Sequence, residues 1–306
     1  MSDLAPIALF VHARLEHTKK TINSLKANSL AKESRIYIFC DSHRIGVSND
    51  IEAVDSVRNL ISKVGGFHTV KVIYREYNYG LKRNIVEGLD YVLKKHDKVI
   101  VLEDDCEAAP NFLAFMNECL DYYADPSKNV WHISGWNPGL NFEDKPFPSY
   151  FMSCWGWSTW RYRWREVCFE PLILMENMSI AERYKFNLNG SYPFYSHLLG
   201  NYLGQNNTWA VFWYASIFNS HGHCINPPTS LITNLGMDGS GTHTSIQFDQ
   251  NVPLQTSKKY DPMISDLDNT LKALSTLFGT KQKKLHKIYS IVKILIPIWV
   301  LKIIKE

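Results

Sequence analysis

Residues 99–105 read Val-Ile-Val-Leu-Glu-Asp-Asp, four β-prone apolar residues running directly into three carboxylates, Glu103, Asp104 and Asp105. Packing alone explains this pattern poorly. Like charges repel, and an ionised carboxylate is costly to desolvate unless a cation pairs with it. Carboxylate oxygens suit a hard divalent ion such as Mn2+ or Mg2+. In an open α/β sheet, ligands bind outside the carboxyl ends of the strands. The segment therefore reads as a metal–diphosphate site at the end of a buried strand. The plainer alternative is a solvated turn.

Positioning these acids takes a series of β–α units. Ile7 to His12 is a short apolar strand, and Glu16 to Ala27 a helix with Thr18, Thr21, Ile22 and Leu25 at near-helical spacing. Arg35 to Cys40 is a second strand ending at Asp41-Ser42-His43, and Asn49 to Val64 a helix stopped by Gly65-Gly66. Thr69 to Tyr74 is a third strand. An Asn78-Tyr79-Gly80 turn follows, then a helix over Lys82 to Lys95 and the strand Lys98 to Leu102. This alternation predicts a parallel sheet with right-handed crossovers. A helix from Ala109-Pro110-Asn111 to about Tyr123 and a strand over Val130 to Ser134 extend it. Beyond residue 150 the alternation breaks down into aromatic helices and loops.

Composition narrows the field. A net charge of +3 over 306 residues gives no case for nucleic-acid binding. Six cysteines, with no CxxC pair, argue against a zinc knuckle and fit reduced thiols in a cytosolic protein. No basic region followed by an apolar run opens the sequence. The tail differs. Seven lysines lie between Lys281 and Lys305, among apolar residues that include Trp299, and Lys293 and Pro297 interrupt the run. Such a segment suits an in-plane helix on an anionic membrane surface better than a span. Docking on the body or on a second subunit is the alternative.

The segments together resemble the nucleotide-sugar half of GT-A-fold glycosyltransferases. The resemblance is to bacterial sugar transferases of the family 2 type that share features with N-acetylglucosaminyltransferase I, and it covers roughly residues 5–245. The segments that carry it are Val11 to Thr18, Cys40-Asp41, Glu76 to Leu81, Val101 to Asp105 with Ala109-Pro110-Asn111-Phe112, Ser153 to Trp157, Asn207 to Trp213, Pro227 and Asn234 to His243. The resemblance implies an α/β, Rossmann-like, mostly parallel sheet flanked by helices. It implies a donor half over about 1–135 and an acceptor half over about 136–260; composition adds an amphipathic helical tail over 261–306, for a membrane surface or for docking.

By the same resemblance, Arg14 helps hold the nucleotide and Asp41 binds the uridine. Asn78 and Gly80 form the turn under the nucleotide, with Arg83 on the helix that follows. Asp105 contacts the metal, Glu103 and Asp104 the sugar and ribose, and Trp155 and Trp157 wall the donor sugar. His243 is a candidate to complete the metal's shell. Residue type alone leaves plainer readings open. Asp41 could cap its loop, Arg14 could pair with Glu16, the two Trp could be core, and Asn78 and Gly80 could be only a turn. An inverting transfer needs a carboxylate base near the acceptor hydroxyl. Asn207 and Ala210 cannot serve near Trp209, which leaves Asp238 and Glu166. The expectation is thus a Mn2+- or Mg2+-dependent, inverting transferase. It would move a sugar from a UDP-sugar donor to a growing glycan acceptor, lipid-linked in the fullest form, for bacterial surface polysaccharide. It would work in the cytoplasm, peripheral on the inner face of the membrane. The alternatives are a nucleotide-sugar-forming nucleotidyltransferase and a non-catalytic glycan- or nucleotide-binding subunit.

Overall fold

Four strands form where apolar runs predicted them: β1 (Ile7–Val11), β2 (Arg35–Cys40), β3 (Thr69–Tyr74) and β4 (Lys98–Glu103). Helices α1 (Leu15–Lys26), α2 (Asp50–Ile61) and α3 (Gly80–Leu93) connect them. These four strands pair in parallel, in the order β3-β2-β1-β4. Their carboxyl ends therefore share one edge, where Val11 aligns with Cys40, Cys40 with Tyr74 and Phe10 with Glu103. The computed structural model describes residues 3–140, 142, 145–238, 267–281 and 291–305.

The next elements are β5 (Cys106–Ala108), α4 (Phe112–Tyr122), β6 (Val130–Ser134), β7 (Phe147–Ser149) and β8 (Trp157–Trp160). Five helices follow: α5 (Arg161–Trp164), α6 (Pro171–Glu176), α7 (Ile180–Phe186), α8 (Phe194–Tyr202) and α9 (Ala210–Asn219). Strands β9 (His223–Asn226) and β10 (Ile232–Asn234), then helices α10 (Leu267–Lys281) and α11 (Ile298–Lys305), complete the described elements. The main sheet runs β3-β2-β1-β4-β8-β6-β9-β7. Strand β8 lies antiparallel between β4 and β6, and β7 antiparallel to β9. The sheet is thus α/β and parallel through its first four strands, and mixed beyond them. A small antiparallel pair joins β5, which follows β4 in the chain, to β10. It carries the chain from residue 234 back to the acids.

Side chains alternate across β1 and divide the core. Ile7, Leu9 and Val11 pack on one face with Ile36, Ile38, Ile100 and Leu102. Ala8 and Phe10 pack on the other with Phe39, Val101 and Leu89. Helix α1 buries Thr18, Thr21, Ile22 and Leu25, the stripe that its spacing predicted. Of the later strands, β6 lies where Val130 to Ser134 predicted it, while β5, β7, β8, β9 and β10 were not anticipated. In β8, Trp-Ser-Thr-Trp is buried on both faces, so no polar alternation marks it.

The tail is bound to the body along one side. Ile294 and Leu301 are 2% and 1% exposed and join the main core. A guanidinium nitrogen of Arg183 donates to the carbonyls of Ile294 and Ile296, both at 3.1 Å. Lys302 pairs with Glu176 at 2.7 Å. Docking on the body, the alternative reading of this segment, therefore accounts for one of its faces. Helix α10 buries Leu271, Leu274 and Phe278 against Trp136, Phe151 and Leu188. Among the described residues, no helix is long and apolar enough to cross a membrane.

Candidate active site

Strand β4 delivers Glu103, and the chain turns at once through Asp104 and Asp105 into β5. Arg14, between β1 and α1, reaches across to this turn. Its Nη2 pairs with Asp104 Oδ1 and, at 2.9 Å, with Asp105 Oδ2. The alternative partner, Glu16, is thereby replaced by two acids from a neighbouring strand end. The Asp104 carboxylate also accepts from the backbone N–H of His12 at 3.4 Å, and its carbonyl accepts from the Thr21 hydroxyl at 2.8 Å. Asp104 is only 4% exposed.

The electrostatics follow from one cation facing three carboxylates. Burial alone would lower the Arg14 pKa, but the charges of Asp104 and Asp105 more than offset this and raise it. Burial raises Asp104, with Arg14 opposing. Glu103 is pushed up to about 8, first by burial and then by the charges of Asp105 and Asp104. It is therefore a protonated acid near neutral pH unless more positive charge arrives. The Cys154 thiol is also raised, by burial and then by Glu103 and Asp105. The antiparallel pairing of Trp157 with Val101 runs Ser153–Gly156 past the end of β4, on the side of these acids.

A second wall comes from the end of β10. The backbone N–H of Leu235 donates to the Asp105 carbonyl at 2.7 Å, and that of Gly236 to Asn234 Oδ1 at 2.8 Å. A Cβ on Gly236 would stand 2.6 Å from Asp105 Oδ2 and 3.1 Å from Arg14 Nη1. Only glycine lets this 3-10 turn, Leu235–Asp238, lie so close to the acid–arginine pair. Sequence reading placed these residues in a closing block but missed their contact with the acids. The density of Gly, Asn and Asp after Ile232 was the available signal.

Asp41 is 4% exposed, and both of its oxygens are occupied. Oδ1 accepts from the backbone N–H of Ser42 at 2.9 Å and of Tyr79 at 2.8 Å. Oδ2 accepts from Gly80 N–H at 2.9 Å and from Asn78 Nδ2 at 3.2 Å. The side chain thus caps the start of α3 from another strand, a job that Tyr79 at the N-cap does not do. Gly80 supplies the φ of +71° that this entry needs. The structure shows the capping role that residue type left open for Asp41. Arg83 lies on the exposed surface, with Nε on Glu87 at 2.6 Å and Nη1 on the Tyr77 hydroxyl at 3.0 Å. Its guanidinium sits 4.0 Å from the Tyr79 ring centroid.

Two expected residues lie elsewhere. Trp157 is 1% exposed, stacked between His132 at 5.2 Å and Trp209 at 5.5 Å, so it is core rather than a sugar wall. Trp155, two residues earlier, is partly exposed and packs edge-on to Trp136 at 4.8 Å. Glu166 follows α5, beyond the Trp160 end of β8. Trp160 pairs with Lys98, the start of β4, so Glu166 sits at the opposite sheet edge from the acids and pairs with Arg163 at 3.6 Å. It cannot serve as a base for chemistry at Asp105. The backbone of Asp238 ends the turn beside Asp105, while His243 lies outside the described residues.

Whether these residues suit a divalent cation depends on the donors. Asp105, and Glu103 once a cation displaces its proton, offer hard oxygen ligands, which fits. Among the described residues no three His, Cys, Asp or Glu side chains form a ready metal cage. A cage is not required, because Mg2+-type ions bind through one or two carboxylates plus substrate phosphates.

Two outcomes follow from this geometry. Asp41→Ala leaves buried N–H groups unpaired and should cost about 1–3 kcal/mol. Urea denaturation without nucleotide reads this directly, and an unchanged midpoint would contradict the capping role. Glu103 titrates at 4.5 when unperturbed and at about 8 in the folded protein. The folded state holds that proton more tightly, so the stability it contributes is complete below about 4.5 and is lost as pH rises to about 8. Over that window the metal-free protein should lose at least about 1.4 kcal/mol more than Glu103→Gln does, the worth of one pKa unit. Parallel stability–pH curves for the two proteins would refute the shift.

No protein-family model matches the chain, and no curated protein matches it. Solved structures with some likeness include the mannosyltransferase PcManGT from Pyrobaculum calidifontis in complex with GDP-Man and Mn2+. It is 12% identical over 52% of this chain and 48% of that one, with a TM-score of 0.33. Residues 1–349 of S. aureus TarS are 11% identical over 76% and 61%, with a TM-score of 0.41. The galactosyltransferase LgtC, in complex with donor and acceptor sugar analogs, is 12% identical over 69% and 70%, with a TM-score of 0.37. The chain spans about half the length of the first and three fifths of the second. At these identities and TM-scores the likenesses assign neither a family nor an activity to the chain.

Proposed function

We propose that the protein is a metal-dependent GT-A-type glycosyltransferase that uses a UDP-sugar. One observation carries this reading: Glu103, Asp104 and Asp105 converge at the carboxyl edge of a central strand, with Arg14 paired to the last two. That is an arrangement suited to a cation and a diphosphate. Asp105 and Glu103 would hold the ion. Once bound, a divalent cation would neutralise the charge that the departing diphosphate develops. Arg14, drawn partly from Asp105, would add fixed positive charge on the same side. The Asn78–Gly80 turn, locked by Asp41, would line the nucleoside end, and Trp155 the sugar. In an inverting, single-displacement transfer a carboxylate must take the acceptor's proton. Of the expected bases only Asp238 lies on an element at this edge, so the proposal assigns it that role. The acceptor would be a growing glycan of a bacterial surface polysaccharide.

The test is transfer and donor hydrolysis across a panel of nucleotide-sugars with Mn2+. Asp105→Ala should fold normally and lose several kcal/mol of transition-state stabilisation, about 100-fold or more in rate. Full activity of that variant, or of the unaltered protein in excess EDTA, would overturn the proposal.

A further inference from the structure

The C-terminal segment has two apolar faces. One, with Ile294 and Leu301, is sealed into the core. The other carries Ile291, Val292, Leu295, Trp299 and Ile303, which are 40%, 54%, 52%, 65% and 62% exposed. In α11, Trp299 and Ile303 are four residues apart and share a face, while Leu301 points inward. Helices α6 and α7, which hold the segment in place, also leave Ile173 and Ile180 at 50% and 55% exposure. Several large exposed apolar side chains on one short segment are the composition of an interaction surface.

Charge identifies the partner. From Lys281 onward the chain has seven basic residues and one acid, against 33 and 30 in the whole chain. The preceding 280 residues therefore hold 26 basic and 29 acidic residues. A net −3 body thus carries a net +6 tail. Apolar side chains with an interfacial Trp, flanked by lysines, match the boundary between acyl chains and anionic headgroups.

We propose that Leu295, Trp299 and Ile303, with the surrounding lysines, seat the protein on an anionic lipid surface. The docked face keeps the segment rigidly attached to the body, so the membrane is held at a fixed orientation to the sheet. This proposal is independent of the catalytic reading.

Deleting the tail is a poor test, because it also removes Ile294 and Leu301 from the core. The informative protein is the full chain with Leu295→Ser, Trp299→Ser and Ile303→Ser, with Trp299→Ser alone as a milder variant. Flotation with phosphatidylglycerol–phosphatidylethanolamine vesicles should recover the unaltered protein. Binding should fall at least about tenfold on phosphatidylcholine vesicles, in high salt, or in the triple variant, and measurably in the single one. Equal flotation of all three proteins, or no flotation of the unaltered one, would overturn the proposal. So would a concentration-dependent dimer that the triple variant abolishes without any vesicle binding, since a second copy would then cover this face.

Discussion

One guanidinium facing three carboxylates sets the terms for the rest of the molecule. Arg14 spans Asp104 and Asp105, and among the described residues no cation pairs directly with Glu103. Such a cluster at a buried strand end is electrostatically unfinished. Its neighbours hold it in place rather than relieve it. His12 and Thr21 fix Asp104, the turn at Leu235 fixes Asp105, and Gly236 gives way to both. Residues from β1, α1, β4 and the end of β10 therefore meet at one point, although more than 200 positions separate Arg14 from Gly236 in the chain.

The same sheet edge is shaped further by a structural carboxylate. Asp41 spends its acceptors on the N-terminal turn of α3, which orients Asn78, Tyr79 and Gly80. Substituting it would move that turn before it changed any direct contact with a nucleotide. The two acids that end β2 and β4 differ in kind: one is satisfied by backbone donors and the other cluster is short of cations.

Much of this was legible in the sequence where local chemistry decides structure. The runs at Ile7, Arg35 and Lys98 are mostly apolar because parallel central strands are buried on both faces, whereas Thr69 to Tyr74, at the sheet's edge, alternates between half-buried and exposed residues. The acids after Leu102 announced themselves because nothing in a core needs them. What was hidden depended on long-range placement. Trp157 and Trp155 are the same residue type two positions apart, yet one enters a stack of Trp and His rings and the other stays half-open. Glu166 stood in an aromatic segment that seemed to face the acceptor, but the antiparallel direction of β8 sends it to the far edge. The tail's lysines and apolar residues suggested a single amphipathic face, whereas packing divides them into a sealed side and an open one.

The proposed function requires the acid cluster to take a divalent cation shared with a diphosphate. Calorimetric titration of Mn2+ into the metal-free protein, with and without saturating UDP, tests it most directly. The account predicts weak binding of Mn2+ alone, binding strengthened at least about tenfold by UDP through shared phosphate ligands, and loss of both in Asp105→Ala. Mn2+ binding that is indifferent to UDP, or that survives in Asp105→Ala, would contradict it.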